Sequence, residues 1–120
     1  MLEALIFKGL MEEQKEDVSK ASRTYSFALE VEVNIQRALL NRSAAERGGP
    51  QTVHDPIQKQ LVQFIAIQLV KTSRASRKIA PCISVLRKLA LETNSCYKRK
   101  FKIFLVLLAA KSLYSLEHLN

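Results

Sequence analysis

The chain has 120 residues, 48% of them apolar and 25% charged, with only three glycines and three prolines. That is one domain's worth of chain, too apolar to stay disordered and too poor in turn residues for many short strands, so a few long helices are expected. The net charge of +8 is uneven: residues 1–60 carry eight Lys/Arg against nine Asp/Glu, residues 61–120 eleven against Glu92 and Glu117 alone. An excess of +9 in one half favours an acidic partner, whether nucleic acid, an anionic membrane surface or an acidic protein.

Leu2, Leu5, Ile6, Leu10 and Met11 recur at helical spacing up to the acidic stretch Glu12–Asp17. Val18, Ala21, Tyr25, Ala28, Ile35 and Leu39 continue that spacing with no proline among them. One helix from about Leu2 to Arg47 would fit, but Asp17 and Ser19 are N-capping residue types, so two helices meeting near Asp17 are expected. Residues 1–47 then read as a long, nearly neutral helical arm. A helix from Ser19 to Arg47 would reach ~40 Å at ~1.5 Å per residue, long enough for its outer end to pair with a second copy in a homodimer.

Gly48, Gly49 and Pro50 stop the helix and open a loop over 48–55. Asp55-Pro56 is the clearest start in the chain, a capping carboxylate followed by a proline where its missing N–H costs nothing. The helical core is expected over 56–120. In its first helix Leu61, Val62, Phe64, Ile65, Ala66, Ile67, Leu69 and Val70 cover most of the circumference, the pattern of a central helix buried on nearly all sides. Its end is basic, with Lys71, Arg74, Arg77 and Lys78 on one side, before Pro81 forces a kink or a new start. Ile83, Leu86, Leu89 and Ala90 form a fourth stripe, ending near Asn94. Ser95 can cap a last helix with Phe101, Phe104, Leu105 and Leu108 on one face and Ile103, Leu107, Ala110 and Tyr114 on another. Lys98, Arg99, Lys100 and Lys102 occupy its first turns. The fold expected is a single-domain, all-α bundle of four to five helices.

Little in the chain carries chemistry. His54 and His118 have no Cys or carboxylate at metal-ligand spacing, and Cys82 and Cys96 flank the fourth helix, where buried free thiols are the expectation. Two cysteines are too few for a disulfide scaffold, and Met1–Leu10 holds Glu3 and lacks a basic leader, so a reducing intracellular setting is expected. The longest apolar run, Ile103–Ala110, is eight residues against the ~20 of a membrane span. Glu12, Glu13, Glu16 and Asp17 read as a solvated face rather than a catalytic pair. With no glycine-rich phosphate loop, nucleophile elbow or Cys–His pair, neither an enzyme nor a cofactor or metal is expected.

The two basic clusters, Lys71, Arg74, Arg77, Lys78 and Lys98, Arg99, Lys100, Lys102, are the candidate partner-binding residues. In an up-down bundle they are expected at one shared pole, where they could neutralise phosphates or meet an acidic protein surface. Tyr97 and Phe101 are the only rings nearby, so base stacking has weak support.

The block order resembles the C proteins of paramyxoviruses, the morbillivirus-like group in particular. The resemblance covers Gln36 to Leu116 and rests on QRALL (Gln36–Leu40), a loop holding His54, LVQFIAIQLV (Leu61–Val70), KTSRASRK (Lys71–Lys78), CISVLRKLAL (Cys82–Leu91) and KIFLVLLAA (Lys102–Ala110). It implies a non-enzymatic accessory protein that modulates viral RNA synthesis through the polymerase complex, blunts interferon signalling and, in some members, engages host sorting machinery. It also implies a host cytoplasmic or nuclear location, and the folded C-terminal part of a longer protein, since the basic tail usual in that family has no counterpart here. Two readings stand beside it. One is a basic helical domain that binds nucleic acid; the other is a fragment of an α-solenoid scaffold, for which only one helix pair, Ile79–Leu91 with Ser95–Leu116, is visible.

Overall fold

The computed structural model describes residues 1–45, 56–91 and 99–118. They form five helices, α1 (Leu2–Gln14), α2 (Val18–Ala45), α3 (Pro56–Ser76), α4 (Ala80–Leu91) and α5 (Arg99–His118), with no strand among the described residues. The chain is an all-α helical bundle.

The expected break near Asp17 is present, and its chemistry is local. The Lys20 N–H donates to Asp17 Oδ1 at 3.1 Å, capping α2. Upstream, the Asp17 N–H reaches Glu12 O at 3.0 Å and the Glu16 N–H reaches Glu13 O at 2.9 Å, closing α1 in a Schellman motif with Glu16 at φ 60°. The end of α3 repeats the device: Lys78 N–H to Ser73 O at 3.0 Å, Arg77 N–H to Arg74 O at 3.2 Å, and Arg77 at φ 60°. Glycine normally fills such a left-handed position; here a glutamate and an arginine do. Ile79 O then accepts the Ile83 N–H at 3.0 Å and α4 begins, with Pro81 in its first turn, where a proline is tolerated.

One apolar cluster joins all five helices, from Leu2 through Tyr25 and Leu69 to Leu86 and Leu105. Its spine is the α2–α3 pair: α2 packs against α1, α3 and α4, and α3 touches all four other helices. Two expectations are corrected here. The residues of the expected arm, α1 and the first half of α2, belong to the shared core. Helix α3 is central as expected, but it is not buried on nearly all sides: Val62, Ile65, Ala66, Leu69 and Val70 are buried, whereas Ile57, Phe64 and Ile67 are exposed. Ala21, Ser22 and Ala28 are buried on α2, and side chains that small let neighbouring helices approach closely. Helix α3 carries more apolar surface than its neighbours cover.

Helix α1 lies against α2 through Gly9, where a Cβ would overlap the ring of Tyr25. That ring is fully buried, and its hydroxyl donates to Glu13, whose carboxylate also accepts from Gln68 Nε2 of α3 at 2.9 Å. Glu12 is buried beside them and accepts from the Thr24 hydroxyl. The acidic stretch is therefore not one solvated face: Glu16 and Asp17 are exposed, whereas Glu12 and Glu13 are folded inward by the close contact at Gly9. A second inward carboxylate, Glu32, has no exposure and is held by Gln58 Nε2 at 2.9 Å and Gln36 Nε2 at 3.2 Å.

Gly9→Ala is expected to destabilise the fold by roughly 1–3 kcal/mol in denaturant titrations, because overpacking outweighs the ~1 kcal/mol that alanine gains in helix propensity. Burial, reinforced by the Glu13 carboxylate, holds the Tyr25 hydroxyl well above its ordinary value. The unfolded chain ionises that group near pH ~10 while the folded chain keeps its proton, so its contribution is fully present below that pH and lost as pH rises. Absorbance titration should show a late phenolate component that Tyr25→Phe removes.

Candidate interaction surfaces

Lys71, Arg74, Arg77 and Lys78 are all exposed at the end of α3 and the turn into α4. Lys78 Nζ lies 3.4 Å from Ser19 Oγ, which ties this end to the start of α2. Arg99 and Lys100 are exposed and Lys102 half-buried in the first turns of α5; Lys98 lies outside the described residues.

The two clusters do not meet. Lys59 Nζ sits 5.5 Å from the centre of the Phe101 ring, so the start of α5 lies beside the start of α3, in a cation–π contact. Lys71 and Arg74 are a further 12 and 15 positions along α3, on the order of 18–23 Å away at ~1.5 Å per residue, and Arg77 and Lys78 lie just past its end. The single basic pole expected from the sequence is therefore two surfaces at opposite ends. The reason is the intervening helix: the 12-residue α4 begins where α3 ends, and α5 follows it and starts beside the start of α3.

A different feature appears between α4 and α5. The expected double apolar character of α5 is real, and its two faces have different fates. Phe101, Leu105 and Ala109 enter the core, with Phe104 and Leu108 packed against it. Ile103, Val106 and Leu107 point away, and with Ala90 and Leu91 of α4 they line a groove of about 280 Å³. Leu107 is 63% and Leu91 60% exposed, far from the interior position such side chains favour. Leu91 also closes a second groove of about 440 Å³ that follows α4 back through Ile83 and Ala80. Both are lined by Leu91, and the described lining of the second runs from Ala80 to Leu91 along α4, ~18 Å for its 12 residues.

Cations rim this surface: Arg99 and Lys102 at the first groove, Arg87 and Lys88 at the second. Lys88 is bonded to Glu30 at 3.3 Å, both half exposed, a contact worth little in stability. No acidic residue lines either groove among the described residues. Sequence reasoning found the cations of α5 but missed Arg87, Leu91 and Val106. The available signal was an α5 apolar on two faces when a helix at the edge of a bundle can bury only one.

Of the remaining candidates, Cys82 is buried and not in a disulfide. Cys96, His54 and the His118 side chain lie outside the described residues. No three His, Cys, Asp or Glu side chains converge as a metal site among the described residues, and no described helix is long and apolar enough to cross a membrane. Comparison with family models, curated proteins and solved structures finds no match to this chain.

Two neighbouring leucines test which face is open. Leu107→Glu should change stability by no more than about 0.5 kcal/mol, as surface substitutions do. Leu105→Glu, which places a charge in a fully buried position, should abolish cooperative thermal unfolding by circular dichroism.

Proposed function

We propose that the chain is a non-enzymatic regulatory protein that acts by protein–protein contact, with the α4–α5 face as its docking surface. The observation that carries this reading is the contiguous exposed set Leu91, Ile103, Val106 and Leu107, ringed by cations with no described carboxylate among the lining residues. An apolar groove of this length suits an amphipathic helix laid into it, and the rim selects a helix with acidic flanks. Affinity would come from the apolar anchors, and approach rate and partner choice from the charges.

The resemblance to the paramyxovirus C proteins supplies the biological setting of the proposal: an accessory protein inside infected cells that modulates viral RNA synthesis and antagonises the interferon response. Its partners would then be the polymerase complex and host signalling or sorting proteins. Direct nucleic-acid binding has less support, because it drew on one combined basic pole and the two clusters lie apart.

Affinity capture from infected-cell extracts, run beside salt-titrated binding to naked RNA, tests this proposal. Polymerase components should co-purify with the parent chain and be lost with Leu107→Glu, while RNA is not retained at physiological salt. RNA retention that falls steeply with salt and is indifferent to Leu107→Glu would establish the nucleic-acid reading instead.

A further inference from the structure

At the other end of α4 lies a smaller cleft, of about 140 Å³, between the starts of α2 and α4 and the end of α3. Leu69, Pro81 and Cys82 make most of its surface apolar, and Ser19, Ser22, Arg23 and Ser26 of α2 with Lys78 of the α3–α4 turn supply its polar side. We infer that this cleft binds a phosphate group, free or carried as a monoester, held between Arg23 and Lys78 with the serine hydroxyls as hydrogen-bond partners.

Spacing builds the polar wall. Ser19, Ser22, Arg23 and Ser26 recur at three- and four-residue steps, which puts them on one side of α2 one turn apart. Serine gains nothing in a helix interior, so three of them along this strip are not explained by helix formation. Ser22 is fixed by a buried hydroxyl–hydroxyl contact with Ser73 at 2.9 Å, which pins α2 to α3 behind the cleft. Ser19 meets the Lys78 ammonium at 3.4 Å and keeps that charge at the cleft rather than extended into solvent.

Charge balance supplies the second argument. Arg23 and Lys78 both line the cleft, and neither has a carboxylate partner among the described residues. The acids closest along α2 are already engaged: Asp17 caps the helix through the Lys20 N–H, and Glu30 is bonded to Lys88. The start of α4 and the end of α3 both lie at this cleft, so their dipoles largely offset each other and the side-chain cations set its charge. Two cations facing one hollow with no carboxylate among its described lining residues are complemented by an anion with several acceptor oxygens. The volume limits the ligand further. Sites for drug-sized ligands run to ~300–1,000 Å³, so the cleft fits a single phosphate group and not a nucleotide.

Titration of the labelled full chain with inorganic phosphate, and separately with O-phosphoserine, at constant ionic strength set by chloride, tests this by amide chemical shifts. Saturable shifts are expected at Ser19, Arg23, Ser26 and Ala80. Arg23→Gln and Lys78→Gln, both at exposed positions, should each weaken binding at least tenfold, and Arg87→Gln should leave it unchanged. Binding of both ligands would mean the phosphate group alone suffices, and binding of phosphoserine alone would assign the site to an ester. Shifts equal to those in chloride, or equal affinity in all three variants, would overturn the assignment.

Discussion

The bundle depends on how closely α1 can approach α2, and that is set by Gly9 lying on the ring of Tyr25. With no side chain at that point, the last turn of α1 drops far enough for Glu12 and Glu13 to reach Thr24, Tyr25 and, across the interface, Gln68 of α3. Three helices are thereby fixed by one glycine, one tyrosine and two inward carboxylates. Carboxylates this buried contribute little net stability, but each breaks sharply if its partner is lost, so they fix register more than they add energy. With α1 and α3 placed on α2, α4 covers the remaining side and α5 closes over α3 and α4.

Much of this order was legible in the sequence. Helix class, the break at Asp17 and the start at Pro56 follow from capping and proline chemistry, which acts over a few residues and needs no knowledge of neighbours. What could not be read was which apolar surface is covered. Helix α3 looks apolar all round and does touch every other helix, yet it shares the spine with α2, whose small residues Ala21 and Ala28 are as buried as large ones. Glu12, Glu13 and Glu32 were illegible for the same reason: their partners (Thr24 for Glu12, Tyr25 and Gln68 for Glu13, Gln58 and Gln36 for Glu32) lie on other elements or a turn away. The two faces of α5 were visible, and only the packing shows that Phe101 and Leu105 are inside and Ile103 and Leu107 outside.

The charge asymmetry looks different once α4 is in place. Sequence proximity suggested one basic pole, whereas a helix of 12 residues separates the clusters and gives each a distinct neighbourhood. Lys78 stands with serines and Arg23 at a small cleft, while Arg99 and Lys102 border an apolar groove. Identical side chains are thus set to different tasks, one suited to a compact anion and the other to the flank of a docked helix. Paired helix ends and single-sided burial create both surfaces.

That division of the basic charge between two ends of the molecule is the central claim. Spin labels at Arg74→Cys and Lys100→Cys, with Cys96 replaced by serine and Cys82 buried, allow it to be measured by pulsed electron resonance. The helix geometry predicts a separation of roughly 25 Å, from some fifteen residues of axial rise plus the lateral offset of neighbouring helices. A distribution centred below about 15 Å would contradict it and return both clusters to one pole.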